Sequence, residues 1–108
     1  RGVEDRSLRK SLDSYAVLGP WMTTADEIPD PDNLDFRISV NGELRQDSNT
    51  RHLIFDCRRL IEYASKFYTL YPGDIVMTGT PKGVGPLEPG DRIECQVEVV
   101  GRMSVEVR

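Results

Sequence analysis

Apolar and polar positions alternate most clearly at Phe36, Ile38 and Val40, which are separated by Arg37 and Ser39 and run directly into Asn41-Gly42. Period-two alternation leading into Asn-Gly predicts a β-hairpin, with Glu43 to Gln46 as the returning strand. From Asp56 the period changes: Cys57, Leu60, Ile61, Ala64 and Phe67 recur at helical spacing, with Arg58, Arg59, Glu62 and Lys66 on the other side. This predicts one amphipathic helix, N-capped by Asp56 and ended before Tyr71-Pro72-Gly73. Asp74 to Thr78 reads as a strand, Gly79 to Gly90 as a Gly/Pro loop, and Ile93, Cys95, Val97 and Val99 as one face of a long strand. Met103 to Val107 alternates as a last strand. A two-residue turn at Gly101-Arg102 would set Val99 against Ser104 and Val97 against Glu106; pairing Val99 with Met103 and Val97 with Val105 makes the apolar faces agree and predicts a bulge or an odd-length loop.

The beginning of the chain is less periodic. Gly19 to Thr24 is a short strand candidate opened by a Gly-Pro turn, and Ala25 to Asp35, with two prolines and five acidic residues, reads as a surface loop. The sum is a mostly β, α+β unit with one main helix. At 108 residues and 38% hydrophobic content the chain can build one modest core, so residues 1–108 are expected to form a single domain.

Charge narrows the partners. A net charge of -4, with no basic run beyond Arg6, Arg9 and Lys10, argues against a nucleic-acid partner. No apolar stretch approaches the ~20 residues that cross a bilayer, which predicts a soluble cytoplasmic protein without a membrane partner. Cys57 and Cys95 lack CxxC spacing and read as buried free thiols, while Trp21, Tyr63, Tyr68 and Tyr71 read as core and rim aromatics.

Candidate chemistry concentrates in the loop Thr78-Gly79-Thr80-Pro81-Lys82-Gly83-Val84-Gly85-Pro86. It is not a phosphate loop of the G-x-x-x-x-G-K-[ST] type, because Val84 stands where the second glycine is needed. Nor does Gly83-Val84-Gly85 continue as a dinucleotide fingerprint, since Glu88 replaces the third glycine. Such a loop can still bring backbone N–H groups and the hydroxyls of Thr78 or Thr80 to a small anion, with Lys82 adding charge. The plainer alternative is a tight turn between strands. Asp26, Glu27, Asp30, Asp32 and Asp35 lack the glycine and glutamate of a calcium loop and read as a solvated acidic segment. His52, the only histidine, reads as a surface or packing residue ahead of the helix, and by pattern alone Lys10 is an ordinary surface charge.

Several strings together carry a resemblance. Asp26-Glu27-Ile28-Pro29-Asp30-Pro31, Val40-Asn41-Gly42-Glu43-Leu44-Arg45-Gln46 with Asn49-Thr50, Ile54-Phe55, Pro72-Gly73-Asp74-Ile75, the Thr78 to Pro86 loop and Pro89-Gly90-Asp91 resemble, in order and spacing, the C-terminal half of fumarylacetoacetate hydrolase family members. The branch they resemble holds 2-hydroxyhepta-2,4-diene-1,7-dioate isomerases, acylpyruvate hydrolases and oxaloacetate decarboxylases.

The resemblance implies a partial mixed β-roll, a homodimer, and an enzyme of aromatic catabolism acting on 2-oxo or 2-hydroxy-dienoic acids. It implies Mg²⁺ or Mn²⁺ chelated by the carboxylate and keto oxygens of the substrate and stabilising an enolate during isomerisation, decarboxylation or C–C hydrolysis. Lys10, in Lys10-Ser11-Leu12-Asp13, resembles the lysine of the family's K-S-x-D string, which polarises the substrate; Arg6 stands at the family's motif arginine. Thr80, with Gly79 and Thr78, matches the T-G-T-P loop that holds the substrate carboxylate. The metal ligands have no counterpart: the Glu-x-Glu pair would lie upstream of residue 1, and Gly2 stands where the N-D-x-S-x-R-D motif places its metal aspartate. Two readings follow, a catalytic-domain segment whose metal ligands lie on other sequence, or a non-catalytic binding or assembly module built on the same fold.

Overall fold

A computed structural model describes residues 10–108. Its centre is the predicted hairpin: β1 (Asp35–Val40) pairs antiparallel with β2 (Glu43–Asn49) through a turn in which Asn41 and Gly42 have φ of 51° and 81°. Positive φ at both turn residues gives the twist that matches the flanking strands, which is why Asn-Gly is favoured there. β2 extends past the expected Gln46 to Asn49. The Asn41 side chain does more than permit the turn. Its Nδ2 donates to Asp91 Oδ1 at 2.8 Å, and its Oδ1 accepts from the Arg92 amide at 2.9 Å, so the hairpin tip is stitched to the start of the next strand.

That strand, β3 (Arg92–Val97), lies on the other side of β1 and pairs with β4 (Gly101–Glu106), giving a four-stranded sheet in the order β2-β1-β3-β4. All three ladders are antiparallel, so the parallel pairs that a mixed roll contains are not formed by these strands. The β3–β4 connection has the odd length expected, Glu98 to Val100, but its register differs from the sequence reading. Ile93 faces Val105, Cys95 faces Met103 and Val97 faces Gly101, while Val99 leaves the strand with φ of 66°. The apolar faces still agree. The turn closes two residues earlier because Gly101, at φ 136°, sits under the Trp21 indole; a Cβ there would lie 2.5 Å from the ring.

Gly19 to Thr24 is therefore not a strand. Trp21 Nε1 and Thr23 Oγ1 donate to the Val100 carbonyl at 2.9 and 3.2 Å, so the segment straps the β3–β4 turn, its polar groups bonding a turn rather than a ladder. Trp21, Tyr63, Tyr68 and Tyr71 are all exposed, not core.

The acidic segment is a stitched loop opened by a short 3-10 turn at Ala25–Glu27. Asp30 accepts from the Asp32 amide, Asp35 accepts from Asn49 Nδ2, and Asp32 accepts from the Cys57 amide at 2.9 Å. The last of these ties the loop to α1 (Cys57–Ser65), whose N-cap Asp56 accepts from the Arg59 amide at 2.8 Å. The helix is shorter than its apolar period: beyond Ser65 the amides of Phe67 and Tyr68 both turn back to the Ala64 carbonyl, and Phe67 is exposed with its ring 5.2 Å from Tyr63. Asp74 to Thr78 is not a strand, because it pairs with none of the described strands. No helix among the described residues is long and apolar enough to cross a membrane.

Burial is thin. Leu34 and Val40 are the buried apolar residues among those described, joined by the buried amides of Gln46 and Asn49, whereas Met22 and Ile54 are 87% and 92% exposed. Both cysteines are free and only half-buried. Burial, reinforced by the carboxylates of Asp32 and Asp56, pushes the Cys57 thiol from its ordinary 9.0 up to about 11, and burial raises Cys95 as well.

Two outcomes follow from the helix start. Asp56→Ala should lower stability in a urea titration by about 1 kcal/mol through loss of the cap, and an unchanged midpoint would mean that the Asp32 contact suffices alone. Because the thiolate is the nucleophile, alkylation of Cys57 at pH 8 should be slower than that of a peptide thiol and should rise with pH toward 11; Asp32→Asn, which removes a carboxylate, should speed it. Peptide-like rates in the parent chain would refute this assignment.

Candidate carboxylate-binding cleft

The end of β2, the 3-10 turn Thr50–His52 and the start of α1 face the Thr78-Gly79-Thr80-Pro81 loop across a cleft of about 450 Å³. Its volume lies within the range of small-molecule sites. Phe36, Phe55 and Leu60 line it as an apolar surface, and Ser48, His52, Thr78 and Thr80 bring polar groups to it. A larger hollow of about 650 Å³ crosses the sheet past Arg37, Glu94 and Arg102, but none of the loop residues lines it.

Local structure determines which polar groups are available. Thr50 Oγ1 accepts from the Leu34 amide and donates to the Pro31 carbonyl, so its proton is already used. Asn49 is similarly engaged: its Nδ2 donates to Asn33 and Asp35, and its Oδ1 accepts from the Arg51 amide. Thr80 differs, since its Oγ1 accepts from Gln46 Nε2 at 2.9 Å.

The loop is seated on β2 by a close backbone approach. The β1–β2 register shifts between Ile38, opposite Gln46, and Ser39, opposite Leu44, leaving Arg45 as an extra bulged residue. Against this bulge lies Gly83, at φ 102°, where a Cβ would run into the Arg45 carbonyl oxygen; at Gly85 a Cβ would come within 2.8 Å of the Arg45 guanidinium. Glycine is thus required at Gly83 both for its backbone angle and for space.

Thr78, Gly79 and Thr80 all line the cleft. Lys10 is exposed and does not line this cleft, and Lys82 is exposed beside the loop without lining it. Arg6 and Gly2 lie outside the described residues. His52 is exposed, in keeping with a surface residue, and it also forms part of the cleft wall. Among the described residues no group of three or more His, Cys, Asp and Glu side chains could hold a metal ion, so this part of the chain does not by itself fit Mg²⁺ or Mn²⁺. The sequence reading gave Gln46 no role at the site, placing it at the end of a strand and in one of the strings that carry the resemblance. Neither its burial nor the bulge that aims it was visible in the sequence.

Residues 3–108 match the family described as fumarylacetoacetate (FAA) hydrolase C-terminal. The chain is 52% identical over its whole length to a maleylpyruvate hydrolase of Aquipseudomonas alcaligenes, covering 38% of that protein. It is 47% identical over 91% of its length to the 4-hydroxyphenylacetate degradation bifunctional isomerase/decarboxylase of Salmonella dublin, covering 23% of it. Among solved structures, the maleylpyruvate hydrolase of Sphingobium sp. SYK-6 in complex with manganese(II) ion and pyruvate superposes with a TM-score of 0.91 at 50% identity, over 94% of this chain and 39% of that one. The chain spans well under half the length of these relatives. With a family match that runs almost from end to end and a shared fold at half-identity, this chain belongs to the fumarylacetoacetate hydrolase family.

Proposed function

We propose that this chain forms the carboxylate-binding part of a metal-dependent enzyme that acts on acylpyruvates or related 2-oxo acids in the breakdown of aromatic compounds. The observation that carries this reading is the placement of Thr80, which lines a cleft of about 450 Å³ in a loop held by β2. A substrate carboxylate there would accept from the Thr80 hydroxyl and from loop amides, beside the apolar surface of Phe36, Phe55 and Leu60. Lys10 would bring its ammonium to the 2-oxo oxygen and stabilise negative charge as an enolate forms, the role that the family resemblance assigns it. The Sphingobium relative, solved with manganese and pyruvate, supports a divalent Lewis acid in the intact enzyme. No group of three or more His, Cys, Asp and Glu among the described residues could hold it.

The exposed apolar surface favours this reading over a free-standing binding module. Ile54, Phe55, Ile75, Met77 and the helix residues Ile61 and Tyr63 are all more than half exposed, an amount of apolar surface that calls for a covering structure. We place that cover in the remainder of a longer, cytoplasmic, homodimeric enzyme whose mixed roll these strands help to build. The module reading draws on Gly2, which offers no carboxylate at the metal-aspartate position.

Kinetics in the intact enzyme test the assignment. Lys10→Ala should lower kcat roughly 100-fold, whereas Thr80→Val should raise KM about tenfold for a 2-oxo acid while leaving kcat nearly unchanged. Unchanged kinetics in both variants would remove the site from this region. Calorimetric titration of the 108-residue chain with Mn²⁺ and oxalate separates the readings further. Absence of metal-dependent oxalate binding is expected, and micromolar binding would place the metal ligands within this chain.

A further inference from the structure

We infer that Gln46 is a positioning residue that orients the Thr80 hydroxyl proton toward the cleft and so makes Thr80 a donor to the substrate carboxylate. The inference rests on the carboxylate-binding reading of Thr80 and adds the device that prepares it. Gln46 is 7% exposed, and its Nε2 lies 2.9 Å from Thr80 Oγ1 and 3.3 Å from the Pro81 carbonyl oxygen. A carbonyl oxygen can only accept, so the end of the amide that faces both groups must be the NH₂. One of its protons goes to Pro81 and the other to Thr80.

Thr80 Oγ1 is thereby made an acceptor on its buried side, and its own proton cannot point back at Gln46. It is left for an acceptor other than Gln46, and the cleft that Thr80 lines is where a substrate carboxylate would offer one. In water a threonine hydroxyl rotates freely and offers lone pairs as readily as its proton. An anion needs the proton, and a hydroxyl already turned requires no reorganisation when the anion arrives.

The aim of Gln46 is itself built into the hairpin. The bulge at Arg45 inserts one residue before Gln46, and Gly83 lets the loop backbone settle against the bulged carbonyl, with a Cβ at Gly83 lying only 3.1 Å from Gln46 Cγ. The same contact thus holds the loop at the distance where one amide reaches both Thr80 and Pro81.

The test is a double-mutant cycle in the intact enzyme, reading kcat and KM for a 2-oxo acid. Gln46→Met keeps length and volume but offers no donor. It should raise KM roughly fivefold with little change in kcat, and in a Thr80→Val background it should change KM by less than about twofold, because the hydroxyl it would orient is gone. Gln46→Glu gives an answer that does not depend on the methionine variant folding. When ionised, the introduced carboxylate accepts from the Thr80 hydroxyl and draws its proton out of the cleft. When protonated, the introduced carboxyl donates again, so the raised KM should fall back toward the parent value as pH is lowered, and this recovery should be lost in the Thr80→Val background, where a merely structural penalty would keep it. If Thr80→Val raises KM but Gln46→Met adds its full effect on top, or if the Gln46→Glu penalty is independent of pH, Gln46 is only a packing residue and the inference fails while the Thr80 assignment stands. An unchanged KM in Thr80→Val overturns both.

Discussion

The contact between the bulged carbonyl of Arg45 and Gly83 governs the geometry of everything downstream of it. Nothing larger than a hydrogen fits between the two backbones, and this brings the Thr78 to Pro86 loop onto β2 instead of letting it run free over the surface. Once the loop is there, a single buried amide can tie it at two points, Thr80 and Pro81, which a longer gap would not allow. A loop carrying two positive-φ glycines, Gly79 and Gly83, would otherwise have wide conformational freedom, so the cost of ordering it must be met by contacts of this kind.

The sheet that supports the contact is secured by side-chain amides more than by a large core. Asn41 joins the hairpin tip to Asp91 and Arg92, and Asn49 joins the far end of β2 to Asn33 and Asp35. These amides hold opposite ends of the same hairpin and so resist a slip of its register, which would turn every inward residue outward. Asp91 accepts from the Glu88 amide and from Asn41, and these hydrogen bonds, the backbone one foremost, hold its carboxyl below the usual range. The stability it contributes is present above the ordinary carboxylate value and is lost as pH falls through its own lower one.

Around this framework the molecule leaves much apolar surface in contact with solvent. The exposed residues fall on the unpaired Asp74 to Thr78 segment and on the helix as well as on the strap, so two elements whose sequence pattern anticipates burial do not find it among the described residues. That mismatch between pattern and burial is informative about context: a sequence keeps apolar periodicity only where something covers it. It agrees with a chain that spans well under half of its relatives' length.

The sequence by itself determined the elements whose cause is local. The hairpin follows from alternation and Asn41-Gly42, the helix start from Asp56 and the period after it, the odd β3–β4 loop from the clash of apolar faces, and the family from strings that survive as strings. Tertiary structure alone decided what depends on residues distant in the chain. Trp21 over Gly101 shifted the β3–β4 register and made the Gly19 to Thr24 segment a strap, and the lack of a neighbouring strand left Asp74 to Thr78 unpaired. Gln46 belongs to the same class, because its role depends on a bulge and on a loop that reaches it from 34 residues away. Periodicity records which side of an element is apolar; it carries no information about which distant group will meet it.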